Sequence, residues 1–196
     1  MLSLRKIAFI LYFIINPVAN LLFSQSTKIY RSLESLKNVP VDSVFAIDLS
    51  KKKLKEFPEE LSKFYRLKYL KLYGNRLKNF PEVICNFSQL EYLDLSKNPL
   101  DSIPPCIGKL RHLKELVLNR TEIDQLPKEI AFVDSLEVLD VWGTNLAFLP
   151  PEISRLKKLR VLDMRVIAMN RKEQEIIRQL LPNTEIKFSK PCNCGF

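Results

Sequence analysis

A unit of 23 residues repeats along this chain without a single insertion, and that regularity constrains the fold more than anything else in it. LKYLKLYGNRLKNFPEVICNFSQ, from Leu67, returns as LEYLDLSKNPLDSIPPCIGKLRH from Leu90 and LKELVLNRTEIDQLPKEIAFVDS from Leu113. LEVLDVWGTNLAFLPPEISRLKK follows from Leu136. A degenerate copy begins at Val44 and a truncated one at Leu159, so starts fall at 44, 67, 90, 113, 136 and 159. Such a period marks a stack of identical supersecondary units, none of which can bury its apolar face alone.

Counting the first leucine as position 1, positions 1, 4, 6 and 11 are apolar with few exceptions, as in Leu90, Leu93, Leu95 and Leu100. The period of two around positions 3–7 predicts a short strand with positions 4 and 6 pointing inward. Successive strands are one full turn apart, so they lie parallel, about 4.8 Å from one another. Position 9 carries Asn75 and Asn98, then Thr121 and Thr144, with Lys52 and Ile167 at the two ends. A buried amide there can satisfy backbone groups that a sharp turn leaves unpaired, and threonine does so less completely. Pro58, Pro81, Pro104, Pro127 and Pro150 all occupy position 15, where a fixed φ starts the return path. Apolar residues at positions 18 and 21 then predict one helical turn, α or 3₁₀, per repeat. That back wall is wider than the strand side, so the stack curves with its sheet inside.

Hydrophobic content of 46% and only 4 glycines fit a packed core. Residues 1–26 read as an export signal. Arg5 and Lys6 precede an apolar run from Ile7 to Ile15, Asn16-Pro17 breaks it, and Ser24-Gln25-Ser26 offers a cleavage site. The run is far shorter than the roughly 20 residues that span a bilayer. An uncleaved N-terminal membrane anchor is the alternative. Residues 27–43 predict an N-terminal capping helix, with Ile29, Leu33 and Leu36 on one face and Pro40 as its stop. The repeats run from 44 to 169. Residues 170–188 form a C-terminal cap: a helix from Asn170 to about Leu181, with Ile176, Ile177, Leu180 and Leu181 on its apolar side, then a last strand at 185–188. A tail fills 189–196. The fold expected is an α/β, right-handed, curved solenoid with six parallel strands on its concave face, helical turns on its convex face and helical caps at both ends.

The segments PEVICNF, PPCIGKL, PKEIAFV and PPEISRL make these units resemble the bacterial and plant-intracellular type of leucine-rich repeat, whose motif adds LPxxIxxL after the strand half. The resemblance covers residues 28–188. It implies a protein-interaction scaffold that uses its concave sheet, and with the leader it resembles a secreted or surface-associated bacterial binder. Some bacterial relatives carry a ubiquitin-ligase domain after the repeats. The chain ends within about 15 residues of the last helix, so that property is not expected here.

Catalysis is not expected. The only histidine, His112, sits at a corner, at position 23, and no serine or cysteine is placed beside it in an equivalent position to form a base–nucleophile pair. No glycine-rich phosphate loop or carboxylate–histidine metal spacing occurs, and no cofactor is implied. Cys85 and Cys106 fall on the convex wall at positions 19 and 17, which point to different sides of a helical turn. A bridge between them, or two half-buried thiols, are the alternatives. Cys192 and Cys194 form Cys-x-Cys in the tail, with local bridging, pairing between chains or no role left open. An oxidising compartment favours some pairing.

The formal charge of +9 falls to 9 − 2 = +7 once Arg5 and Lys6 leave with the signal. Position 2 alternates as Lys68, Glu91, Lys114, Glu137 and Arg160, an edge ladder of neighbouring opposite charges. The other basic residues scatter through corners and caps, so no stripe follows a nucleic-acid backbone. The outward strand positions are different. Tyr69 and Tyr92 occupy position 3; Tyr73, Asn119, Trp142 and Arg165 occupy position 7; Lys71, Asp94, Asp140 and Asp163 occupy position 5. Exposed aromatics have no core reason to be there, and aromatics dominate protein interfaces. Lys71 is placed to neutralise Asp48 and Asp94, while Asp140 and Asp163 lie side by side with only Arg165 close. The expectation is a monomeric, exported binding module that takes a protein partner on this face. The alternative is an envelope-associated scaffold whose basic corners hold an acidic polymer or membrane surface.

Overall fold

A computed structural model of the chain describes residues 28–191. The expected signal and its cleavage site, and Cys192 and Cys194, lie outside the described residues. Each repeat forms its strand where period two is read: β2 Ala46–Asp48, β3 Tyr69–Lys71, β4 Tyr92–Asp94, β5 Glu115–Val117, β6 Val138–Asp140 and β7 Val161–Met164. All pair parallel, position 3 against position 3, as in Tyr69 with Tyr92 and Tyr92 with Glu115. The position-4 residues Ile47, Leu70, Leu93, Leu116, Leu139 and Leu162 are all fully buried. Burying a leucine or isoleucine contributes roughly 1.5–3 kcal/mol, so the stack holds through this inward row and the one beside it.

The sheet has eight strands in sequence order: the six of the repeats, the last strand expected at 185–188, and one at the N-terminal end that was not expected. β1, Ile29–Tyr30, pairs with β2, and β8, Glu185–Phe188, pairs with β7. The predicted N-terminal helix is thus a strand followed by two short 3₁₀ turns, Glu34–Leu36 and Val41–Ser43. Two forces defeat an α-helix there. The first repeat strand would otherwise leave a bare edge, and Ser32 and Ser35 exchange side-chain to backbone bonds of 3.2 and 3.3 Å that compete with helical ones. At the other end Asn170 and Glu173 form a capping box that starts α1, Arg171–Leu180. Gln174, Ile177 and Leu181 are its buried stripe; Ile176, expected there, is 49% exposed because it lies off that stripe.

The return paths are 3₁₀ turns, five residues each, at Glu59–Lys63, Glu82–Asn86, Pro105–Lys109, Lys128–Phe132 and Pro151–Arg155. Each starts after a position-15 proline with φ between −63° and −75°. The proline carbonyl accepts from the position-18 N–H, at 3.0 Å for Leu61 and 2.9 Å for Ile84. Cys85 and Cys106 are joined across two neighbouring turns, Cα–Cα 5.8 Å. The sequence argument that positions 19 and 17 face different sides therefore runs the other way. In a stack, one turn must offer its forward side and the next its backward side, so a bridge needs different positions.

Turn closure on the sheet side rests on position 9. Asn75 Oδ1 accepts from the N–H of Lys52 and Leu54 at 2.9 and 3.1 Å, and its amide donates to the carbonyls of Leu49 and Leu72, both at 2.9 Å. Asn98 repeats this one turn on, reaching Leu77, Leu72 and Leu95. Thr121 and Thr144 each bond one carbonyl of their own turn, Leu118 and Val141, at 2.8 Å. The asparagines tie two turns together; the threonines close one. Along the other edge, Glu91 is held by Lys68 at 3.1 Å and Lys114 at 2.6 Å, while Arg160 stands 3.8 Å from Glu137. Burial pushes the Glu91 carboxyl up, and the two lysines outweigh it, leaving its pKa lowered.

Three stability outcomes follow. Asn98→Ala should cost about 2–4 kcal/mol in urea unfolding, since buried carbonyls lose their donors, and Thr121→Ala should cost less. Cys85→Ser with Cys106→Ser should lower stability by about 3 kcal/mol for a loop of this length, with the oxidised wild type showing no titratable thiol at these two positions. Because the folded-state pKa of Glu91 is depressed, its stabilisation exists above the unfolded carboxylate pKa and is lost as pH falls through the folded one. Glu91→Gln should therefore lower stability by about 0.5–1 kcal/mol at neutral pH, and the difference should vanish once pH falls below the folded-state pKa of Glu91.

Candidate functional site

Six of the ten expected contact residues, Tyr69, Lys71, Tyr92, Asp94, Asp140 and Asp163, lie in the strands at positions 3 and 5, and Tyr73, Asn119, Trp142 and Arg165 lie just past the strand ends. They are not uniformly exposed. Tyr69 and Tyr92 stack with ring centroids 4.4 Å apart and planes 9° from parallel, and with Val117 they form an apolar cluster separate from the main core. Tyr92 is 1% exposed, and Asp94 and Glu115 beside it are also buried. The exposed position expected for Tyr92 and Asp94 is thus corrected. Stacked rings cover one another, and Lys71 Nζ lies 3.2 Å from Asp94. Tyr73, Asn119 and Trp142 keep part of their surface, and Arg165 is exposed.

The aspartates prove to have a task in the turn itself. Asp48, Asp94, Asp140 and Asp163 each accept a backbone N–H two residues on, from Ser50, Ser96, Trp142 and Arg165, at 2.9–3.2 Å. Ser50 and Ser96 add their hydroxyls to the same oxygens. The position-6 carbonyl beneath already accepts from position 9, so the position-7 N–H takes a carboxylate in place of a ladder partner. Period and charge in the sequence do not reveal this, though Asp-x-Ser, found at 48 and 94, is a recognisable signal.

Asp140 and Asp163 do lie side by side in register. Arg165 grips Asp163 with bonds of 2.9 and 2.6 Å, and Asn119 Nδ2 donates to Asp140 at 2.6 Å. Burial pushes the Asp140 carboxyl above its ordinary range; the Trp142 N–H and Asn119 amide oppose that, and the charges of Asp163 and Asp94 push it further up. Three cations surround one ring: Lys51, Lys71 and Lys97 stand 5.7, 5.6 and 5.0 Å from the centroid of Tyr73. Arg120 lies over Trp142 at 4.3 Å. Lys51, Lys97 and Arg120 belong to position 8, which the repeat pattern places on this same face beside positions 3, 5 and 7 without singling out these residues.

His112 is exposed at its corner. Ser135 occupies the same position of the next turn, contrary to the expectation that no serine would, and both line a shallow depression with Lys68, Gln89, Glu91 and Lys114. Among the described hydrogen bonds none joins His112 to Ser135 or Glu91, and Glu91 is taken by its two lysines. Among the described residues, no group of three or more His, Cys, Asp or Glu side chains is placed to hold a metal ion. No described helix is long and apolar enough to cross a membrane.

Comparison with known proteins agrees with the geometry. Residues 43–100 match the leucine rich repeat family and residues 105–181 the leucine-rich repeat region family. No curated protein matches the chain. Among solved structures, a leucine-rich repeat protein of Leptospira interrogans is 35% identical with a TM-score of 0.68, over 79% of this chain and 38% of its own. The ectodomain of the Arabidopsis receptor kinase HAESA, solved with an extended IDA peptide hormone, is 27% identical with a TM-score of 0.60, over 82% of this chain and 28% of its own. The chain spans less than two fifths of either protein. Repeat period, parallel sheet, 3₁₀ return paths and family matches over consecutive segments agree: the chain belongs to the leucine-rich repeat proteins.

Proposed function

We infer that this chain, like leucine-rich repeat domains generally, works by protein–protein interaction. We propose that this chain is an exported, non-enzymatic, monomeric binding module that receives a protein partner on its concave sheet. The observation that carries the reading is the surface composition opposite the core. Tyr69, Tyr92 and Val117 form a second apolar cluster there, and Tyr73 and Trp142 stand half-buried past the strand ends beneath Lys97 and Arg120. Half-buried aromatics amid polar groups are what a partner can desolvate at low cost; the convex wall exposes charged side chains and, among its aromatics, Phe132. Export is supported by the apolar leader at 1–26 and by the Cys85–Cys106 bridge, which belongs to an oxidising compartment.

Affinity capture from native extracts at low and moderate salt tests this reading. A protein held through an aromatic-centred interface stays bound, whereas attachment of the chain to an acidic polymer or membrane surface collapses as counterions compete. With the captured partner, Trp142→Ala should weaken binding by at least ~1 kcal/mol, and the convex changes Lys128→Ala and Glu152→Ala by much less. Tyr92→Ala should also weaken it, with a drop in stability because that ring is buried. Equal losses from convex and concave changes would refute the assignment of the face. N-terminal sequencing of the protein from its host should find a start near Thr27.

A further inference from the structure

Every repeat passes through the left-handed region at position 8: Lys51, Gly74, Lys97, Arg120, Gly143 and Val166 have φ of 58°, 67°, 52°, 54°, 65° and 62°. Glycine is the residue that adopts this backbone without steric cost, and any side chain there is strained. The chain nevertheless places basic residues at three of the six positions. The two glycines are not random either, since each follows an aromatic residue, in Tyr73-Gly74 and Trp142-Gly143. A Cβ on Gly74 would come within 3.3 Å of Lys51 Cγ, and one on Gly143 within 3.7 Å of Arg120 Cγ. At Gly74 glycine thus leaves room for the stem of Lys51, which leans across the Tyr73 ring, whereas at Gly143 a Cβ would make only an ordinary contact with Arg120. Lys51, Lys97 and Arg120 are exposed, and among the described residues none of them forms an ion pair. The nearby aspartates are occupied in accepting Ser50, Ser96 and Trp142 N–H groups. Arg120 and Lys97 also border a depression of about 440 Å³ beside Gly143, in which Glu122 is the one carboxylate.

We propose that this row, Lys51–Tyr73–Lys97–Arg120–Trp142 along the rim where the strands end, receives an extended acidic segment of the protein partner; the inference rests on the protein-binding reading above. Strained backbone retained under charged side chains points to a function for those charges. The row spans the strands from β2 to β6, four steps of about 4.8 Å or about 19 Å in all, which about six residues of extended chain would cover. Acidic groups of such a segment would meet the three cations, and its intervening side chains would lie against the edges of Tyr73 and Trp142. An acidic polysaccharide fits less well. Sugars stack on open ring faces, and here the faces are covered by ammonium and guanidinium groups.

The test uses the full chain and three labelled probes at physiological salt, read by fluorescence anisotropy: a peptide of alternating glutamate and serine, its glutamine counterpart, and an oligogalacturonate. Wild type should bind the acidic peptide and neither of the other two. Lys51→Gly, Lys97→Gly and Arg120→Gly together remove the charges while relieving the backbone, so the melting temperature should hold or rise while acidic-peptide binding falls about tenfold or more. Lys97→Gln with Arg120→Gln keeps the backbone burden unchanged and should give a smaller loss in the same direction. Acidic-peptide binding within about twofold of wild type in the glycine variant, or preference for the oligogalacturonate, overturns the proposal. Native partner captured normally by the glycine variant but lost with Trp142→Ala would also overturn it, leaving the protein-binding reading intact. Acidic-peptide binding lost in the glycine variant while native extracts yield no captured protein would keep the row as an acidic-ligand site and refute the protein-binding reading.

Discussion

A chain that bends back on itself every 23 residues must find partners for the backbone polar groups at each bend, and this structure depends on how it does so. Strand, bend and return are each too short to be stable alone. They are held because the N–H and C=O groups of bend and return find partners at fixed positions: asparagine or threonine side chains at 9, aspartate side chains at 5, and the backbone carbonyl of the proline at 15. A buried backbone group without a partner costs about as much as several well-packed methylenes contribute. That explains why polar positions are as periodic as the leucines. The hydrophobic row chooses the stack, and the polar residues determine that each turn closes at the same place.

The same requirement shapes the concave surface. Aspartates that look like spare charge at a binding face are committed to the position-7 N–H groups, and Lys71 to Asp94. Negative charge on this face is therefore largely answered from within. Positive charge at position 8 is not: it stands on a strained backbone and leans on aromatic rings. Shape and charge of the surface are products of the turn chemistry as much as of any partner.

The repeated part of the fold was readable because each unit confirms the others. Six copies fixed the strand boundaries, the inward leucines and the proline start, and the asparagine role followed from hydrogen-bonding capacity. The ends were not readable in the same way. Ile29–Tyr30 has helical spacing with Leu33 and Leu36, yet it pairs with an otherwise bare strand edge, a tertiary demand that local pattern cannot express. The Cys85–Cys106 bridge was obscured by comparing equivalent positions, whereas stacked turns touch through non-equivalent ones. Burial of Tyr92 depended on a ring in the neighbouring turn, and the left-handed position 8 depended on dihedral angles that Lys51, Lys97 and Arg120 give no hint of by type.

The bridge between the second and third turns alters how such a stack can come apart. In a linear array each unit leans only on its neighbours, so loss of order starts at an end and travels inward. Sequence separation between the two cysteines is 21 residues, and the covalent tie means these two turns cannot separate while it is closed. Disorder entering from β1 would reach a locked pair and stall; disorder entering from β8 would cross four strands before meeting it. Under a pulling force, or in front of a protease that engages one terminus, the chain would behave as two segments of unequal endurance on either side of a clasp. Reducing conditions would turn it into a single array that unravels from whichever end is taken first.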